Sequence, residues 1–205
     1  MKTIVLLNLN SYLGGGEVLV VRLAEQLKLK GQPYKVICLW DSYIHKECIK
    51  NQLQWECWPI SNDSILYMNR KEKKRVFLFM EQTLSGIENP FVYTFCFRDV
   101  YNVLYLKGKI QKKLYIGTGI YHPDDTKYVA TRTIYAKRNR DINRCILQQY
   151  CDNDSAVFMS ERCHESSCVA GDDYPLIPLP ITKAKTYDTI RQEKHKKILW
   201  IGRLV

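Results

Sequence analysis

The chain has 205 residues, 46% hydrophobic and 25% charged, the length and make-up of an ordinary globular protein with one sizeable domain. No uninterrupted apolar run is longer than that of Val76 to Met80, far short of the ~18 residues of a membrane-spanning helix, and the N-terminus turns polar at Asn8 and Asn10, too early for a signal peptide, so the protein is expected to stay in the cytosol. The net charge of +10 suits polyanions such as nucleic acid, anionic lipid headgroups or phosphorylated small molecules, or simply a well-solvated surface.

In chain order, residues 2–10 carry Ile4, Val5, Leu6, Leu7 and Leu9 in a near-continuous apolar run, as a parallel strand buried on both faces requires. A loop with Gly14, Gly15 and Gly16 follows, and a helix is expected from Glu17 to about residue 30, with Gly31 where a helix stops. Residues 33–41 read as the next strand, which completes a βαβ unit. The alternation continues with a short strand over 54–60, a helix over 69–88 broken at Asn89-Pro90, a strand over 91–98, a helix over 100–111 and a strand over 113–117. Beyond a loop with Gly119 and His122, a long basic helix is expected over 133–150. A strand over 155–160, a short helix over 161–169 and a proline-punctuated strand over 176–181 complete a doubly wound, mostly parallel Rossmann-like α/β pattern, whose ligand sites lie at the strand C-terminal ends. Residues 182–197 have a linker's composition, and residues 198–205 read as the first strand of a further domain.

Three sets of residues carry possible chemistry. Gly14-Gly15-Gly16 between a strand and a helix lets backbone N–H groups approach an anion at the helix N-terminus; it lacks both the G-x-G-x-x-G spacing and the Gly-Lys-Ser/Thr of a P-loop, and the lesser alternative is a tight turn with glycines for packing alone. Glu17 in the first turn suits the helix dipole and is placed to meet a ligand hydroxyl. His122 falls at the same sheet edge, where it can bond a sugar or phosphate oxygen, although a lone loop histidine is often merely solvated. The basic segments are 70–75, 107–113 and 132–144. In the last, Arg132, Lys137, Arg138, Arg140 and Arg144 are interleaved with aromatics, which suits anionic lipid or nucleic acid as well as plain solvation. Eight cysteines show no Cys-x-x-Cys pairing. Cys163, His164 and Cys168 are the tightest group, but three ligands make a poor structural zinc site, and no metal site is expected.

The ordered series of residues 3–9, Gly14-Gly15-Gly16-Glu17, His122, Ala156 to Arg162, the segment Ile177-Pro178-Leu179-Pro180-Ile181 and the terminal Ile201-Gly202-Arg203-Leu204 resembles the family 4 retaining glycosyltransferases of GT-B fold, from its N-terminal half to the start of the second domain. The resemblance implies an acceptor-binding domain over 1–181, an interdomain linker over 182–197, and over 198–205 the first strand of a nucleotide-sugar domain that the chain does not contain. It implies backbone contacts of Gly15 and Gly16 with the donor diphosphate or the acceptor, His122 as the catalytic residue beside the transferred sugar, and Arg203 on the donor diphosphate. The partners implied are a nucleotide-sugar donor, a lipid-linked or polysaccharide acceptor of the cell envelope, and the inner face of an anionic membrane, with no cofactor or metal and no nucleic acid. The 205 residues alone are expected to be inactive, the lysine and acidic pair of the family's second domain falling past Val205, and Leu179 replaces the family's asparagine. The competing reading is a non-catalytic Rossmann-like module that binds anionic lipid or nucleic acid through its basic helices.

Overall fold

The computed structural model describes residues 2–11, 13–61, 63, 65, 68–87, 90–95, 99, 102–103, 112–117, 156–161 and 163–164. Six strands, β1 (Ile4–Asn8), β2 (Tyr34–Cys38), β3 (Trp55–Cys57), β4 (Phe91–Thr94), β5 (Lys112–Gly117) and β6 (Ala156–Phe158), alternate with helices α1 (Gly15–Leu29), α2 (Tyr43–Lys50) and α3 (Arg70–Ser85). They form one sheet in the order β3-β2-β1-β4-β5-β6, and each neighbouring pair is parallel. This is the doubly wound, Rossmann-like order expected from the alternation. Its switch point, where chain progression reverses direction across the sheet, lies between β1 and β4.

The continuous apolar run of β1 serves both faces, because successive strand side chains point to opposite sides. Val5 and Leu7 join the core with Val76, Met80 and Leu84 of α3. Leu6 joins Val20, Val21, Ala24 and Leu27 of α1 and Ile44 and Cys48 of α2. Three rows of helix are therefore divided over two faces, and β1 stands between them. At the far edge Gly117 opposes Phe158, which is fully buried; a Cβ on Gly117 would lie 2.5 Å from the Phe158 ring, so only glycine fits.

Helix ends follow the local chemistry. Gly31 has φ +63°, the left-handed conformation of a C′ glycine, and the bonds Gly31 N–H to Lys28 O (3.1 Å) and Gln32 N–H to Leu27 O (3.0 Å) form the Schellman closure of α1. The strands are shorter than the apolar runs suggest, since those runs continue into buried turns such as Leu9 and Leu39. Helix α2 was not anticipated: eight residues give too little periodicity, and it is set by Ser42, whose Oγ accepts from the His45 N–H at 3.2 Å. The expected basic helix over 133–150, the strand over 176–181, the linker and the terminal strand lie outside the described residues. No helix among the described residues is long and apolar enough to cross a membrane.

Candidate functional site

The switch point is where the sequence becomes polar. β1 ends in Asn8, which is 1% exposed. Its Oδ1 accepts from the Asn10 N–H at 2.9 Å, an Asx turn that takes the chain out of the sheet. The Nδ2 groups of Asn8 (3.4 Å) and Asn10 (2.8 Å) both donate to Glu17 Oε1. Glu17 is itself buried, so a carboxylate in the first turn of α1 ties the helix to the end of the strand. From the other side of the switch point, just past β4, the buried Asp99 accepts the Leu9 N–H at 3.3 Å. A second side chain from the same stretch, Asn102, accepts the Ile65 N–H at 2.9 Å and donates to Asp63 O at 2.8 Å.

Above this network α1 opens on glycine, two residues earlier than the expected start at Glu17. The N-cap is Gly14, in extended conformation and with no side-chain cap. The first intrahelical bond runs from Val18 N–H to Gly14 O at 3.2 Å, so the N–H groups of Gly15, Gly16 and Glu17 precede any acceptor within the helix. A Cβ on Gly15 would meet nothing within 4 Å, whereas one on Gly14 would lie 2.7 Å from Glu17 Oε2. Gly14 thus makes room for the carboxylate, and Gly15 faces open space at the positive end of a 15-residue helix. The arrangement is suited to an oxyanion.

Of the residues singled out from the sequence, Gly15, Gly16 and Glu17 come together here. His122, Arg203 and the group Arg132, Lys137, Arg138, Arg140 and Arg144 lie outside the described residues, as does Cys168; Cys163 is buried and accepts from Ser160 Oγ at 3.3 Å. Sequence reasoning missed Asn8, Asn10 and Asp99. The signal for the first two was present in the polar residues that break an otherwise apolar strand; Asp99 is brought in by tertiary packing and had none.

A second feature of the same sheet edge is the turn from β2 into α2. Trp40 is 72% exposed and packs on the buried His45 with ring centroids 4.6 Å apart, while Trp55 closes the other side edge-on at 4.6 Å. Under α2, Cys38, Cys48 and Cys57 approach one another. Hydrogen bonding with Cys48 and then burial push the Cys38 thiol far above its usual range, and burial raises that of Cys57, which leaves both thiols poor nucleophiles. On the opposite face, Arg70, Lys73, Lys74, Phe77, Leu78 and Glu81 of α3 line an open groove of about 590 Å³.

No protein-family model matches the chain, and no curated protein does. Solved structures do. HepE of Anabaena, crystallised with UDP and glucose, matches with a TM-score of 0.61 at 10% identity, over 86% of this chain and 44% of its own. The lipopolysaccharide outer core galactosyltransferase WaaB, in apo form, gives 0.58 at 11% identity over 90% and 47%. A glycosyltransferase of Rickettsia africae gives 0.50 at 17% identity over 78% and 42%. The chain therefore spans less than half the length of the structures it matches. What it has in common with them is the fold, the Rossmann-like N-terminal half of a two-domain GT-B architecture.

Proposed function

We propose that this chain is the acceptor-side half of a retaining glycosyltransferase, which moves a sugar from a nucleotide-sugar to a lipid-linked or polysaccharide acceptor in cell-envelope polysaccharide synthesis, at the inner face of the cytoplasmic membrane. The observation that carries the reading is the glycine-opened start of α1 at the switch point of a parallel sheet. Three N–H groups with no acceptor in the helix, no capping side chain and no Cβ at Gly15 make a fixed set of donors. As the nucleoside diphosphate leaves, its charge grows, and donors already in place stabilise that state more than the ground state. The bound UDP of HepE supports a uridine diphosphate donor. His122 is proposed beside the transferred sugar, Arg203 on the diphosphate, and neither a metal nor another cofactor is invoked.

The test is made on the polypeptide that carries the donor domain, read from the source DNA past Val205, with UDP-glucose and UDP-galactose as probes. Gly15→Asp places a carboxylate where the diphosphate would sit. It is expected to leave the fold intact, or to gain a few tenths of a kcal/mol from the helix dipole, while UDP binding falls on the order of tenfold. His122→Ala is expected to abolish transfer and leave UDP binding. Unchanged UDP binding by Gly15→Asp sinks the diphosphate assignment, and a stop codon after Val205 sinks the transferase reading itself.

The anionic membrane surface is proposed as a partner on separate grounds. Five of the first six residues of α3 are cationic, Glu72 being the exception, and they crowd the positive end of a helix, where cations are unfavourable. Exposed Phe77 and Leu78 follow one turn later. A charge distribution that costs stability points to an anionic partner, and the expected Arg132 to Arg144 segment would extend it. The non-catalytic module remains the second reading on this observation alone.

A further inference from the structure

A singly exposed apolar side chain is ordinary, but Trp40, the most exposed of the large aromatics among the described residues, is held in a fixed setting. It is not a loose side chain. The imidazole of His45 lies against it at 4.6 Å, tilted by 37°, and His45 is held in turn by three contacts. Its backbone N–H donates to Ser42 Oγ, its Nδ1 accepts the Asp41 N–H at 3.2 Å, and the perpendicular Trp55 ring packs on its far side. The acceptor role of Nδ1 puts the ring proton of the neutral imidazole on Nε2, a buried atom with no hydrogen-bond partner.

The backbone beside the indole is also constrained. Asp41 adopts φ +58°, a left-handed conformation uncommon for a residue with a Cβ and found preferentially at functional positions. Its carboxylate pairs with the Lys46 ammonium at 3.1 Å, both side chains largely in solvent, at 74% and 62% exposure. A flat apolar face is thus set next to an exposed acceptor and an exposed donor, all at the C-terminal edge of a parallel sheet, on the strand adjacent to β1 and its glycine loop.

We propose that Trp40, Asp41 and Lys46 form a subsite for a pyranose ring, the indole taking the ring's apolar C–H face and the ion pair its hydroxyls. The inference rests on the acceptor-side reading above, and names the substrate class at that side as a saccharide rather than a bare lipid phosphate. An indole fixed in advance loses little side-chain entropy on binding, and its apolar face with a polar rim matches the two-sided character of a sugar. A bilayer surface fits less well, because the residues that follow Trp40 are Asp41 and Ser42 and the apolar Leu39 before it is buried.

The experiment is saturation-transfer NMR on the chain with methyl α-glucopyranoside, methyl β-galactopyranoside and N-acetylglucosamine as probes, repeated with phosphatidylglycerol vesicles. Saturation is expected on the ring C–H protons of at least one pyranoside. Trp40→Ala should weaken that binding about five- to tenfold, the value of one aromatic contact, Trp40→Phe should retain most of it, and Asp41→Asn should weaken it without removing it. Because Trp40 is exposed, the thermal midpoint of Trp40→Ala should match that of the parent, so that loss of binding is not loss of fold. No saturation of any pyranoside, equal binding by Trp40→Ala, or a Trp40-dependent association with vesicles in place of sugars overturns the proposal. UDP-sugar turnover by the polypeptide that carries the donor domain separates the two readings. Turnover without pyranoside binding removes the subsite and leaves the transferase, whereas pyranoside binding without turnover leaves a saccharide-binding module.

Discussion

Helices α1 and α3 carry a glutamate at the same position, the third residue of the helix, and use it in opposite ways. In α3 the N-cap is Asn69, whose Oδ1 accepts the N–H groups of Lys71 (2.9 Å) and Glu72 (3.0 Å), while Glu72 Oε2 reaches back to the Asn69 N–H at 2.8 Å. This capping box satisfies the helix from within its own first turn. In α1 the N-cap is Gly14, and the Glu17 carboxylate beside it accepts from Asn8 and Asn10 rather than capping the helix. One acid closes its helix; the other fastens its helix to the sheet and leaves the end open. A first-turn glutamate is thus structural in both places, and the two helix ends differ in that only α3 has a side-chain cap for its first N–H groups.

Removing Glu17 should do the most damage. Glu17→Ala takes away the acceptor shared by two amides, one of them wholly buried, and a buried polar group left without a partner costs about 1–3 kcal/mol. A lower urea midpoint is expected, together with weaker diphosphate binding as the Asn8–Asn10 turn loosens. Glu17→Gln, which can still accept from one amide, should recover most of the stability. If Glu17→Ala unfolds at the parent's urea concentration, the fastening role is wrong and the acid is free to serve a ligand directly.

The fold was legible because its signals are local and repeated. Ile4 to Leu9 reads as a two-faced strand, Gly14 to Gly16 as a turn before a helix, and Gly31 as a stop, each for a reason that needs no partner elsewhere in the chain. The site was legible only where it shares those signals. Gly15 and Gly16 could be found from spacing, but the start of α1 at Gly15 could not, since glycine disfavours a helix interior and the helix begins there only because Glu17 is fastened from below. The roles of Asp99, Trp40 and His45 depend on contacts over tens of residues or on a short helix without clear periodicity. His45 in particular has no motif in the sequence, and its setting between two tryptophans appears only once β2, α2 and β3 are packed.

The capping box of α3 can be removed in the same way. Asn69→Ala should cost about 1 kcal/mol, the usual value of an N-cap, because the positive helix end must then hold five nearby cations without its acceptor. UDP binding should not change, as α3 lies on the opposite face of the sheet from α1. The pair of measurements, urea midpoint and UDP titration, should therefore move together for Glu17→Ala and apart for Asn69→Ala. A loss of UDP affinity in Asn69→Ala would mean that the two helix ends are coupled.

The smallest effect concerns how α3 is tied to the sheet at its other end, a task that its own cap cannot perform. Glu56 of β3 pairs with Lys35 of the neighbouring strand and accepts from Thr83 Oγ1 in the last turns of α3. Burial by itself would raise the Glu56 carboxyl, but the hydrogen bonds from Lys35 and Thr83 and the Lys35 charge outweigh it, so the carboxyl titrates below its ordinary value of 4.5. A folded-state value lower than the unfolded one means that the unfolded chain binds the proton first as pH falls. The contribution of Glu56 to stability is thus complete above about pH 4.5, shrinks as pH drops through that value, and is gone below the depressed folded one. Because the pair is partly solvated, the effect should be modest and weakened by salt. Urea midpoints taken between about pH 6 and pH 3 should fall more steeply for the parent than for Glu56→Gln. Parallel curves would mean that the Glu56 carboxylate makes no proton-linked contribution, and that α3 is held to the sheet by its apolar face, Val76, Phe79, Met80 and Leu84.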